Sequence, residues 1–418
     1  MLHITNARNA RFEPIELLVD GSTIAAAGER VDAPEGCDRL DARQNIVVAG
    51  ILDMHVHLRD PGFTHKEDIG TGGAAAVAGG VTAVACMPNT KPATDSPDTL
   101  RYVIEKAAAQ SPAKVLPIAA ITLGEKGETL VDFETLAQAG AVAFSDDGMP
   151  VMSREQMREA MLRADKLGKL VISHCEDFNF TAPYPASEHD PRLGADLYLT
   201  NTEESMAARD IALSLETGCA VHIAHISTAI SAELVRRAKQ LGARVSCETC
   251  PHYLLLTEAA VAEKGTNAKM NPPLRTPADR EAIIRAVCDG TVDALVTDHA
   301  PHAAEEKAQP FDRAPNGIIG LETLVGGALT ALRGKLSPEA IFEKMSASPR
   351  RLLGLAPQGL SVGDPADLTL VDPDEKWTLR EEDIRSKSHN SPFIGCEFIG
   401  RANVTIVDGK IVFSHWEN

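Results

Sequence analysis

The chain has 418 residues and a net charge of −18, from 41 Lys and Arg against 59 Asp and Glu. Hydrophobic residues at 44% and charged residues at 24% are ordinary for a folded chain and exclude wholesale disorder. The acidic balance and an aromatic content of 4% argue against nucleic acid or an anionic membrane as partner, because those surfaces need basic faces or stacking platforms.

The first 20 residues carry charges and lack a continuous apolar stretch, so no secretory signal is expected. Residues 1–49 hold short alternating runs and a turn-like DGSTIAAAG. A strand is predicted over 52–58. The uncharged window 69–88 is apolar enough to raise a membrane span, but its Gly79-Gly80 pair before VTAVAC reads as a helix stopping and a strand starting. Further strands are predicted over 81–86, 114–119, 141–145, 169–174, 220–225, 243–248 and 293–298. Helical stretches such as 96–110, 153–167, 201–217, 229–241 and 277–288 lie between them.

Eight strands, each followed by a helix, predict an α/β fold, a (β/α)8 TIM-type barrel over 50–354. A doubly wound sheet is the rival, and no glycine fingerprint follows the first strand. The tail 355–418 contains DPADLTLVDP and NVTIVDGKIVF, short strands with an Asp-Gly turn. It is expected to join residues 1–49 in one small discontinuous β domain. Three long connections, 176–200, 249–276 and 300–317, are expected to carry binding segments or a lid. The eight cysteines lack a disulfide-framework spacing, which predicts a reducing, cytoplasmic setting. Cys247 and Cys250 form a lone CxxC, weak evidence for zinc or redox chemistry.

The polar residues gather at predicted strand ends: DMHVHLRDPG, CMPNT, SDDG, SHCED, AHIST, CETCPH and TDHAPH. In a barrel these ends share one mouth, so the segments converge on a single site. His55 and His57, two apart on a strand, share a face, with Met54, Val56 and Leu58 expected to point outward. His174 and His225 end the fifth and sixth strands and Asp298 the eighth. His222 falls on the opposite side of its strand and is expected to pack or lie at the surface. Four imidazoles and a carboxylate exceed one tetrahedral ion, so two divalent ions bridged by an oxygen ligand fit better. Zinc suits these ligands; manganese and cobalt do too.

As a set, DMHVHLRDPG, MPNT, FSDDG, HCED, HIST, KMNPPLR and TDHAPH resemble bacterial class I dihydroorotases of the amidohydrolase superfamily, in family order over 50–320. The terminal segments resemble that family's small β domain. The resemblance implies a barrel of the metal-dependent amidohydrolases in which His55, His57 and Asp298 hold one zinc and His174 and His225 the other. The bridge would be Asp147, ahead of Asp146, together with a hydroxide. Relatives that bridge with a carbamylated lysine carry it on this strand; no lysine occurs between Gly127 and Lys166. For substrate, the resemblance points to His57, Arg59, Asn89, Asn271, His302, Asn316 and Gly317. A planar guanidinium at Arg59, with Asn89 and His302 beside it, suits a carboxylate.

The activity implied is reversible hydrolysis of L-dihydroorotate to N-carbamoyl-L-aspartate in pyrimidine biosynthesis, with Asp298 as the catalytic base and then acid. Two rival readings are a hydantoinase, dihydropyrimidinase or allantoinase acting on neutral rings, and a scaffold subunit for aspartate transcarbamoylase. A homodimer, or a complex with aspartate transcarbamoylase, is compatible with the resemblance.

Overall fold

In the computed structural model, which describes residues 1–181, 183–194 and 196–416, eight parallel segments close into a barrel. They are Ile51–Val56, Val81–Cys86, Lys114–Pro117, Ala143–Ser145, Leu170–Ser173, Val221–Ile223, Val245–Thr249 and Ala294–Leu295. Neighbours pair in this order, with a bridge from Ala119 to Phe144 joining the third to the fourth. The ring closes where Val56 pairs with His299 and the His57 N–H donates to the His299 carbonyl. The outer helices begin at side-chain caps, among them Ser96, Ser153, Asn201, Thr228 and Thr276, each accepting from a first-turn N–H.

The apolar window splits as expected into a helix, Ile69–Ala78, and the second strand. Gly80 between them has φ +87, and a Cβ there would lie 2.5 Å from that of Ala402. A glycine is therefore needed where the barrel meets the terminal sheet. Among the described residues no helix is long and apolar enough to cross a membrane.

Strands from both ends of the chain share that eight-stranded sheet. Ile46–Ala49 pairs on one side with Leu2–Arg8 and on the other, antiparallel, with Leu368–Thr378. Residues 417 and 418 of the tail, and 182 and 195 of the long connection 176–200, lie outside the described residues.

Alternation sorts the strand residues into two cores. Leu52, Ala83, Ala85, Ile172, Ala294 and Val296 fill the barrel, whereas Val84, Val171 and Leu295 face the helices. Three expectations fail here, each for a local reason. The pairing of the first strand shifts between Asp53 and Val56, so Met54 joins the interior cluster while Val56 and Leu58 face out. Of the two roles expected for His222 it takes the packed one, with no exposed surface, but it does so inside the barrel against Glu248 and not on the outer side of its strand. His225 comes after the regular strand, which ends at Ile223, and its φ of 31 turns it inward although its parity points out.

Asp53 fastens the closing seam. Its carboxylate accepts from the N–H of His55 at 3.2 Å and from the N–H and hydroxyl of Thr297, the latter at 2.5 Å. It thus fixes the strand before His55 and His57 against the one before Asp298. Asp53→Ala would orphan three buried donors and is expected to cost about 3 kcal/mol or more. The shift in denaturation midpoint measures it, and a change below about 1 kcal/mol would remove Asp53 as the fastening.

Candidate active site

Twelve residues were singled out from the sequence, and eleven of them line one cavity of about 230 Å³ at the carboxyl ends of the strands. They are His57, Arg59, Asn89, Asp147, His174, His225, Asn271, Asp298, His302, Asn316 and Gly317, joined by Gly148 and Ala300. The twelfth, His55, lies beneath, fully buried.

Two ligand clusters share one carboxylate: His55, His57 and Asp147, and Asp147, His174 and His225. His55 Nε2 lies 3.3 Å from Asp147 Oδ1 and 3.6 Å from Asp298 Oδ1. His57 Nε2 lies 3.0 Å from Asp298 Oδ1 and 3.4 Å from Asp147 Oδ2. On the other side His174 Nδ1 and His225 Nε2 stand 3.0 Å apart, at 3.5 and 3.7 Å from Asp147 Oδ1.

This donor set fits metal ions. His55 Nε2 and Asp147 Oδ1 are buried and face each other without a hydrogen-bond partner, an arrangement costly unless a cation lies between them. His174 turns its Nε2–H to Glu176, which leaves its Nδ1 lone pair directed towards Asp147 and His225, the posture of a ligand.

Asp146 and Asp147 part company here. Asp146 turns back to the third strand's loop, accepting from the N–H groups of Ile121 and Thr122 and from the Thr122 hydroxyl. Burial pushes its pKa up to about 6. Asp147 is also buried, yet the imidazoles of His55, His174 and His225 gathered around it hold its carboxyl well below the usual range. Burial likewise opposes ionisation of Asp298, but the imidazoles of His57 and His55 beside it prevail and hold its carboxyl below the usual range.

Other groups hold the ligands. The Nδ1–H of His57 donates to Asn89 Oδ1 at 2.8 Å, and Asn89 Nδ2 donates to the Asp147 carbonyl at 3.2 Å. Asn89, singled out as a substrate contact, is thus already committed to orienting a ligand. Glu176 stands 3.2 Å from His174 Nε2 and accepts from Asn271 Nδ2 at 2.8 Å. Glu248 takes the Nδ1–H of His55 at 2.5 Å. Neither glutamate's role was read from the sequence. Their one signal is position: both lie in the strand-end segments SHCED and CETCPH.

Around the rim, Arg59 Nε donates to the Pro301 carbonyl at 3.2 Å, and Arg59 Nη2 lies 3.4 Å from His302 Nε2. Burial and the charges of Arg59, Lys66 and Lys307 hold His302 neutral, its pKa pushed down to about 2. Its Nε2–H donates to the Asn316 carbonyl at 2.8 Å. Gly317 has φ +130, and a Cβ there would stand 2.7 Å from that of Ala300. The loop 300–317 is held down by Lys307, whose ammonium donates to the carbonyls of Pro315 and Gly317 at 3.0 Å each. Cys247 and Cys250 are buried free thiols, with pKa values raised by burial.

Residues 44–231 match the family model described as Dihydro-orotase-like. A dihydroorotase from Geobacter metallireducens is 45% identical over 404 residues, covering 96% of this chain and 95% of the relative. One from Acetivibrio thermocellus is 42% identical over 414 residues, covering 98% and 97%. Among solved structures, an L-hydantoinase from Arthrobacter aurescens superposes with a TM-score of 0.87 at 25% identity, covering 100% of this chain and 96% of its own. A D-hydantoinase from Thermus sp. gives 0.82 at 24%, covering 99% and 95%, which speaks for the fold alone. The fold is therefore a (β/α)8 barrel with a β domain, the architecture of the metal-dependent cyclic amidohydrolases. With such identity along nearly its whole length, the chain belongs to the dihydroorotase family.

Proposed function

We propose that the protein is a dihydroorotase that interconverts L-dihydroorotate and N-carbamoyl-L-aspartate in pyrimidine biosynthesis. The observation that carries this reading is the placement of one guanidinium, Arg59, on the wall of the cavity that holds both ligand clusters. It gives the site a carboxylate clamp that a neutral ring would not need.

In this reading His55, His57 and Asp298 would hold one zinc and His174 and His225 a second, with Asp147 within reach of both. When bound, such ions lower the pKa of water towards neutrality and polarise a carbonyl. The protein's own part is positioning and proton transfer. Arg59 takes the substrate carboxylate as a fork, and an anion seated there comes within reach of the His302 Nε2–H. Asn271, its Nδ2 tied to Glu176, keeps its amide oxygen for a ring N–H. Asn316 and Gly317 close the wall behind the ring. Asp298 accepts the proton lost by the attacking water and delivers it to the ring nitrogen as the carbon–nitrogen bond breaks. Burial of these groups keeps bulk water from the reacting atoms.

Eight cysteines present as thiols fit a reducing cytoplasm. Every site residue named comes from one chain, so a homodimer or a complex with aspartate transcarbamoylase would be an addition to a self-sufficient site. Sizing the pure protein, alone and mixed with that enzyme, tests both.

Turnover of dihydroorotate, with none of dihydrouracil, hydantoin or allantoin, is the expected substrate profile; activity on the neutral rings alone would move the protein to the hydantoinase group. Arg59→Met is expected to raise KM for dihydroorotate about 10- to 100-fold, the scale of losing a charge-assisted pair of hydrogen bonds. Metal content should be unchanged. A variant with wild-type KM would end the clamp assignment.

A further inference from the structure

The seventh barrel strand carries a carboxylate that no step above uses. Glu248, on Val245–Thr249, has no exposed surface and lies among the interior-facing residues of its strand. Its Oε1 accepts from His55 Nδ1 at 2.5 Å, and its Oε2 stands 3.2 Å from His222 Nε2. His222 is held in turn: its Nδ1 lies 2.8 Å from the hydroxyl of Ser246, the residue directly opposite it in the strand pairing. The groups follow one another by close contacts, His222 from the sixth strand, Glu248 from the seventh, His55 from the first, and then Asp147.

A buried glutamate is costly unless it is used. Here its geometry determines what His55 can do. A neutral imidazole has two tautomers and can rotate its ring by half a turn. A carboxylate 2.5 Å from Nδ1 admits only the form with the proton there. That leaves the Nε2 lone pair aimed at the space between Asp147 and Asp298, 3.3 and 3.6 Å away. A carboxylate behind a ligating imidazole also makes it a stronger donor. His222 limits how far Glu248 can turn away, because its Nε2 stands 3.2 Å from the other oxygen, close enough to attract it without being aligned for a hydrogen bond.

We infer that Glu248, backed by His222, is a positioning residue that sets the tautomer, ring orientation and donor strength of His55. It thereby sets the affinity of the metal site shared with His57, and not that of the His174 and His225 site. This rests on the metal reading of the two clusters.

The test strips the purified protein of metal and titrates zinc against a chromophoric chelator, for wild type, Glu248→Gln, Glu248→Ala and His222→Gln. The thermal midpoint of each metal-free form is recorded alongside. Glu248→Ala should weaken one of the two sites about 10- to 100-fold and leave the other unchanged. Glu248→Gln should fall between, since its amide oxygen still accepts from Nδ1–H without the charge. His222→Gln should show the smallest loss at that same site. The ring nitrogen signals of His55 should pass from a single protonated Nδ1 to a mixture of tautomers in Glu248→Ala. If that variant does not fold, the near-isosteric Glu248→Gln carries the comparison.

Unchanged affinity at both sites would overturn the inference. So would equal weakening of both in step with a lost metal-free midpoint, because a purely structural carboxylate would do that. A wild-type chain that takes up no zinc would sink the metal reading itself, and this inference with it.

Discussion

Asp298→Asn should lower turnover of dihydroorotate by about 10²- to 10⁴-fold, the range a positioned proton-transfer group contributes. The reasoning starts from geometry. Asp298 Oδ1 lies 3.0 Å from His57 Nε2, at the rim of the cavity and 8% exposed. The imidazoles of His57 and His55 beside it hold it as the anion against the cost of burial, so at neutral pH it can take a proton. Asparagine has the same shape and still offers an oxygen to a cation, but it can neither accept nor deliver that proton. Metal content and KM should therefore stay near wild type while kcat falls. Turnover within tenfold of wild type, with the metal in place, would mean that another group carries the proton.

Asp147→Ala should have a larger effect still, because one carboxylate serves both ligand clusters. Removing it takes a ligand from each, so metal content should fall below two per chain. Activity should drop on the order of 10³-fold or more, about 4 kcal/mol of barrier at roughly 1.4 kcal/mol per factor of ten. The neighbouring Asp146→Ala makes the contrast. Asp146 accepts from Ile121 and Thr122 and touches no imidazole nitrogen of either cluster. Its loss should cost about 2–3 kcal/mol of stability through orphaned donors, yet leave metal content intact. If the two variants exchanged these phenotypes, the assignment of the shared ligand would be reversed.

Much of this site could be read from the sequence because barrel geometry is repetitive. In the fifth segment Leu170, Ile172 and His174 share a parity, and in the eighth Ala294, Val296 and Asp298 do. Counting by two from a core residue therefore lands on a cavity residue. That counting fails where the backbone leaves the strand. His225 belongs to the site only because its φ of 31 breaks the alternation, and His55 and His57 follow interior Leu52 and Met54 into it only because the first strand shifts its pairing. Neither event leaves a mark in the residue types.

Groups that act through another residue were harder still to see. The Asn89 amide presents donors on paper, but which partner it meets depends on how close the second strand's loop comes to His57. Glu248 and Glu176 stand in polar strand-end segments that the sequence does single out. Their partners, His55 and Asn271, lie 193 and 95 residues away, a separation that only the closed barrel removes. The connection 300–317, expected to carry a binding segment or a lid, lines the cavity through Ala300, His302, Asn316 and Gly317 and is pinned by Lys307, a buried cation bound to carbonyls.

The account is tested most directly by titrating the metal-stripped protein with zinc while following dihydroorotate hydrolysis. Two ligand clusters joined by Asp147 predict that activity rises only as the second equivalent is bound and then reaches a plateau. Full activity at one equivalent, or in the stripped protein, would contradict a centre built on two ions.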